Sequence, residues 1–303
     1  MRALVVLVWE GTLGLLVAVM VAVAVVTAPS GHLLNVLGQA GPSGLVAAGL
    51  ALSLRAGTPN LAVGALAGFT AAVTASPLIG QGWAAAILAL LLVAIGGLVL
   101  GLLVAALAAP AWAVTLGAAV ACEALVVAMT DSRGVPSQFG SGIPASVWFV
   151  LFVVVSLGGA LVWRVARLRS PWVAALVGVG GSSLLAAVGG LAALARVQAV
   201  FPGTGWSTTT LALAAVLLGG VSVHGGRGGV AGTVLAMLFL ALVQGQLAVW
   251  GAPFWAFMAV TGVVVVVALL AGRLVDLAVP EPIPAPGDAP VEARTNGPRQ
   301  SPW

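Results

Sequence analysis

Stretches of about 20 predominantly apolar residues follow one another along this chain, separated by short polar or glycine-rich joints, and nothing else in the sequence narrows its fold as much. They fall at about 3 to 28, 34 to 54, 60 to 79, 83 to 109, 111 to 129, 146 to 163, 171 to 194, 208 to 222, 229 to 248 and 253 to 272. At a helical rise of about 1.5 Å per residue, ~20 residues span the roughly 30 Å of hydrocarbon in a bilayer. Of the 303 residues, 61% are hydrophobic and 6% charged, against about 25% charged in soluble domains. A soluble core cannot hide that much apolar surface, so lipid is the medium. Runs of this length satisfy their backbone groups in lipid as helices. The expected fold is all-α: a polytopic membrane protein of about ten transmembrane helices, with eight to ten as the range. The stretches 60 to 79 and 208 to 222 are glycine-interrupted or short, and could be half-helices buried against neighbours.

The formal charge of +4 comes from eleven arginines, since the chain has no lysine. On a membrane protein such residues report topology, and no basic patch with interleaved aromatics points to nucleic acid. Arg164, Arg167 and Arg169 cluster at the end of one span, while Arg2, Arg55 and Arg273 end others. All can face the cytoplasm if both termini lie there, which requires an even number of crossings. The loops Asp131 to Pro144 and Phe201 to Trp206 then face outward. From Asp276 the text turns rich in proline and charge, so residues 1–275 read as the transmembrane domain and 276–303 as a disordered Pro-rich cytoplasmic tail. The first segment, longer than a signal-peptide core, reads as a retained helix. The single cysteine, Cys122, excludes an intrachain disulfide and a multi-cysteine metal site.

Enzyme chemistry finds no purchase. A nucleotide-gripping phosphate loop needs a lysine after its glycines, and the two histidines, His32 and His224, are far apart. No catalytic, cofactor or metal site is expected. Polar groups inside or beside the spans, namely Asn35, Gln39, Asn60, Gln244 and Gln246, could either hydrogen-bond a polar solute or bridge helices. Glu123 lies deeper in its span than Glu10, where a charge costs about 2.5 to 3.5 kcal/mol; it faces a polar cavity, bonds another helix or is buried protonated. The string Gly219 to Thr233 holds seven glycines around Ser222, His224 and Arg227. Each glycine costs up to ~1 kcal/mol of helix propensity, so the backbone is expected to break at Gly219, Gly220, Gly225, Gly226, Gly228 and Gly232 and form a hairpin, with Arg227 near a membrane surface.

Three segments resemble the ribose-type ABC importer permeases, a family that includes sugar and, more distantly, nucleoside and branched-chain amino acid permeases. These are GGVSVHGGRGGVAGT with the span after it, Leu33 to Gln39 with Gly49 to Val73, and Trp112 to Val127 with its Thr-Leu-Gly start at Thr115 to Gly117. The resemblance covers about residues 31 to 275 and implies a permease subunit in the bacterial inner membrane that moves a small polar solute, above all a monosaccharide, as half of a homo- or heterodimer. It also implies a cytoplasmic ABC ATPase that uses the ATP, and an extracytoplasmic solute-binding protein. Candidate solute-path residues are Asn35, Gln39, Asn60, Glu123 and Gln244; candidate ATPase contacts are Arg164, Arg167 and Arg169. The chain departs from the family pattern at Asn60, usually aspartate, at Ser207 and Thr208, usually an acidic pair, and near Glu123, commonly arginine. Its loop Arg164 to Trp172 is also short for a coupling helix. A ten-helix secondary transporter of the drug/metabolite type and a non-transporting membrane scaffold are the alternative readings.

Overall fold

A computed structural model describes residues 2–80, 82–107, 109–165, 170–222 and 230–278, with the backbone alone at 2–6, 160–165, 230 and 274–278. The helices run in the order α1 (Arg2–Thr27), α2 (His32–Arg55), α3 (Val63–Ala75), α4 (Trp83–Leu107), α5 (Ala111–Thr130), α6 (Ala145–Val165), α7 (Pro171–Ala175), α8 (Gly181–Val197), α9 (Thr204–Leu218), α10 (Val230–Val249) and α11 (Phe254–Ala278). A π-helical turn, Leu176–Gly180, joins α7 to α8 as one rod. Each apolar stretch of the sequence therefore holds one rod. Seven of the described helices are long and apolar enough to cross a membrane, and α3 and α9 are short, as their glycines and length foretold. Helix α11 runs through Ala278, and the rest of the tail expected from Asp276 lies outside the described residues.

Short joints reverse the chain after every rod, so alternate ends gather at two faces. At one face the joints after α5 and α8 pair as a two-residue antiparallel ladder, β1 (Val135–Pro136) with β2 (Ala199–Val200), and Trp83 at the start of α4 stacks edge-on with Phe139 at 4.9 Å. This is the hairpin end. At the opposite, terminal end lie the start of α1 and the finish of α11, and there the Trp9 indole donates to the Leu218 carbonyl at 2.7 Å. Exposed Trp83, Trp250 and Trp255 stand at the hairpin end, and exposed Trp112 and Trp172 at the terminal end. Tryptophan belts of this kind mark the two membrane interfaces, where an apolar ring body and a polar N–H are both satisfied.

Between the belts the exterior is aliphatic. Ile87, Leu91, Ile95 and Val99 stand out from α4, and Val263, Val266, Val267 and Leu270 from α11. The interior is built of small residues, because lipid supplies no hydrophobic drive between helices and close backbone approach must replace it. Helix α2 is the axis, packed against α8, α6, α10 and α9. A methyl at Gly41 would lie 2.6 Å from the Phe149 backbone nitrogen, and one at Gly190 of α8 would lie 2.2 Å from the Ala67 carbonyl of α3. Both contacts are possible only for glycine.

Candidate functional site

Polar side chains gather at three levels. The outermost lies near the hairpin end. Asn35 and Gln39 stand one turn apart on α2 and so share a face. Gln39 Nε2 donates to Gln244 Oε1 on α10, and Arg196 Nη2, in the last turn of α8, donates to Asn35 Oδ1 at 3.0 Å. Asn35 is exposed, while Gln39, Gln244 and Arg196 are half-buried. The four make a polar seam on a surface that is otherwise aliphatic. After their mutual bond, the two glutamines still hold the Gln39 carbonyl oxygen and three N–H hydrogens, the kinds of group that a sugar hydroxyl needs once stripped of water. Gln246 is fully buried and turns away, donating to Thr27 Oγ1 on α1 at 2.8 Å; it bridges helices. Arg196 was absent from the sequence reading. Its one signal is an arginine closing an apolar run at the end opposite Arg55 and Arg273.

The middle level is set by the two short helices, whose N-termini meet inside the bundle. The Gly64 N–H of α3 donates to Thr209 Oγ1 of α9 at 3.1 Å, and a methyl at Gly64 would stand 2.1 Å from the Gly205 carbonyl. Glu123 of α5 reaches this junction: its Oε2 accepts the Gly203 N–H at 3.3 Å. Gly203, with φ 80°, begins α9 and offers no side-chain cap of its own. Glu123 therefore caps α9 from another helix. The other oxygen, Oε1, is enclosed with no hydrogen-bond partner. Of the readings open for Glu123, the geometry is that of a bond to a second helix. Ser207 and Thr208 bond back to the Thr204 carbonyl, each at 2.9 Å.

Nearest the terminal end is Asn60, fully buried where α3 begins. Its Oδ1 accepts the Ala62 N–H at 3.0 Å, and its Nδ2 donates to Ser182 Oγ at 2.8 Å and Ser183 Oγ at 3.1 Å. Every polar atom of its side chain is engaged, and the seam and Glu123 lie elsewhere. At the glycine-rich string α9 stops at Leu218 and Gly220 takes φ 81°, but Gly232, expected in the break, lies inside α10, where Gly219 packs against it backbone to backbone. Ser222 is half-buried. Gly225, Gly226, Arg227 and Gly228, like Arg167 and Arg169, lie outside the described residues, and Arg164 is described in backbone alone, at the end of α6.

The structure thus joins Gln39 to Gln244 and sets Asn35 beside them, but it places Glu123 and Asn60 at separate, deeper junctions. Among curated proteins the chain is similar to the ribose import permease of Escherichia coli K12, with 27% identity over 295 residues covering 84% of this chain and 91% of that protein. It is similar to the ribose import permease of Bacillus subtilis, 25% identical over 280 residues, 80% of this chain and 84% of the relative. The autoinducer 2 import system permease of Escherichia coli SMS-3-5 is 26% identical over 261 residues, 76% of each chain. No protein-family model and no solved structure matches.

Proposed function

Because the chain belongs to the ribose-type permeases of ABC importers, we propose that this multi-pass inner-membrane subunit carries a monosaccharide inward along the seam of Asn35, Gln39 and Gln244 and past Glu123. It is the non-hydrolytic part of its importer. The observation that carries this reading is a polar seam opening onto an aliphatic exterior, in a chain that aligns over 84% of its length with a ribose import permease. Amides and a guanidinium facing lipid would be costly. Set against a second permease, copy or homologue, they line a wet passage instead.

The direction follows from charge. Arg55 ends α2 and Arg273 lies near the close of α11, both toward the terminal end, and arginine is retained preferentially on the cytoplasmic side. Both termini are then cytoplasmic, and the hairpin end receives solute from an extracytoplasmic binding protein. ATP is bound and hydrolysed by a separate cytoplasmic subunit, which meets the chain at Arg164, Arg167 and Arg169. The permease supplies two conformations and a path between them.

The test is uptake of labelled ribose by cells that carry the complete importer, together with affinity capture of this subunit from native membranes. ATP-dependent uptake lowered by Gln39→Ala and Gln244→Ala, and an ATPase recovered from the wild type but not from the Arg164→Ala/Arg167→Ala/Arg169→Ala variant, are the expected results. Uptake that persists without any ATPase would overturn the proposal.

A further inference from the structure

The π-helical turn between α7 and α8 is the one break in an otherwise regular rod, and its surroundings are built to hold it. A π-turn carries one residue more than the α-helix would, at the cost of misaligned backbone bonds, and such turns concentrate where proteins work. Three side-chain donors converge on the Val179 carbonyl within it. Ser182 Oγ donates at 2.9 Å, Ser183 Oγ at 2.7 Å, and Asn60 Nδ2, from the start of α3, at 3.4 Å. Asn60 Nδ2 also reaches both serine hydroxyls, and all three side chains are fully buried.

The turn lies in a slot cut to its backbone. On one side a methyl at Gly178 would stand 2.1 Å from Thr58 Oγ1. On the other, Gly97 and Gly101 of α4 let the turn approach, a methyl at Gly101 meeting the Ala175 carbonyl at 2.9 Å. Asn60 is at the same time the cap of α3, through Oδ1 and the Ala62 N–H. Leu61 beside it is held by Thr115 of α5 at 3.0 Å. One amide therefore ties the π-turn to the inner end of a half-helix whose first turn abuts α9 at Gly64, Gly205 and Thr209.

We infer that Asn60, with Ser182 and Ser183, is a positioning latch: it fixes the register of the π-turn and passes movement of α7 to α3, and so to the α3–α9 junction beside Glu123. A π-turn has a ready second state, because expelling its extra residue restores an ordinary α-helix and rotates the segment before it by about 100°, one residue's step. That segment, Pro171–Ala175, begins just after the joint through which the ATPase is proposed to act. The transport part of this inference rests on the function proposed above, whereas the latch itself does not.

The latch is tested on the purified chain. In a Cys122→Ser background, spin labels at Trp172→Cys on α7 and Leu103→Cys on α4, both exposed positions, report the rotation of α7 as a distance. Ser182→Ala/Ser183→Ala and Asn60→Leu are expected to shift or split that distance, and so is Asn60→Asp, whose carboxylate keeps the size of the amide but has no N–H to give the Val179 carbonyl. An unchanged distance in the double serine variant, which alters packing little, would overturn the latch even if Asn60→Leu failed to fold. The second arm uses the complete importer and counts labelled ribose moved per ATP hydrolysed. The serine variant is expected to lower that ratio about fivefold or more, the ordinary scale of coupling between sites, with ATP hydrolysis continuing. A wild-type importer that moves no ribose would defeat the proposed function, whereas a working wild type with an unchanged ratio in the variant would defeat this inference alone.

Discussion

Arg196 has donors and no acceptor, so an amide beside it must turn its oxygen toward the guanidinium. Asn35 does so, which leaves its N–H pair facing outward from the seam. The glutamines below have no such director, and Gln39 and Gln244 hold only each other. Cutting either to leucine strands a half-buried amide, and cutting both strands none. Thermal unfolding in detergent is therefore expected to show that Gln39→Leu/Gln244→Leu costs less than the two single changes summed, by about 0.6 kcal/mol, the usual coupling of polar pairs between membrane helices. Strict additivity would mean that the bond contributes nothing. At this scale the sequence showed which residues were polar but not their partners. Asn35 meets Arg196, Gln39 meets Gln244 and Asn60 meets Ser182 across more than a hundred positions of chain, and no local pattern encodes such pairings.

Among the helices, α3 and α9 depend most on others. Their first turns are capped from outside, α3 by Asn60 and Thr209 and α9 by Glu123. Glu123→Gln keeps an acceptor at Gly203 and is expected to leave stability within about 0.5 kcal/mol. Glu123→Leu removes the cap and is expected to cost about 0.5–2 kcal/mol, read as a lower unfolding midpoint. Equal midpoints for the two would deny the capping role. Packing between α8 and α3 gives a sharper contrast. Gly190→Ala drives a methyl to 2.2 Å from the Ala67 carbonyl, and overpacking of that kind costs about 1–3 kcal/mol. Gly262→Ala on α11 meets nothing within 4 Å, so its midpoint is expected to hold or rise, by no more than the ~1 kcal/mol of helix propensity gained. Composition already showed that α3 and α9 would be short, since glycine and limited length are local properties. Where their ends come to rest was not legible, because those contacts belong to α5, α2 and the α7–α8 rod.

For the whole molecule, alternation of the rods puts the two ends of the described chain on one face and the β1–β2 ladder on the other. If the termini are cytoplasmic, as proposed above, a membrane-impermeant maleimide added to intact cells is expected to label Ser141→Cys in a Cys122→Ser background and to spare Arg273→Cys; the reverse pattern would invert the topology. The apolar runs by themselves determined that the chain is an all-α membrane protein and about where the described rods fall, because lipid makes each run of ~20 apolar residues satisfy its own backbone. They also marked the two short helices. Only the tertiary structure decided that Glu123 caps α9, that Asn60 is bound into the α7–α8 rod, and that Arg196 joins the seam. Polar groups inside a membrane must find partners wherever close packing brings helices together, and in this bundle that packing is set by glycines far apart in the chain.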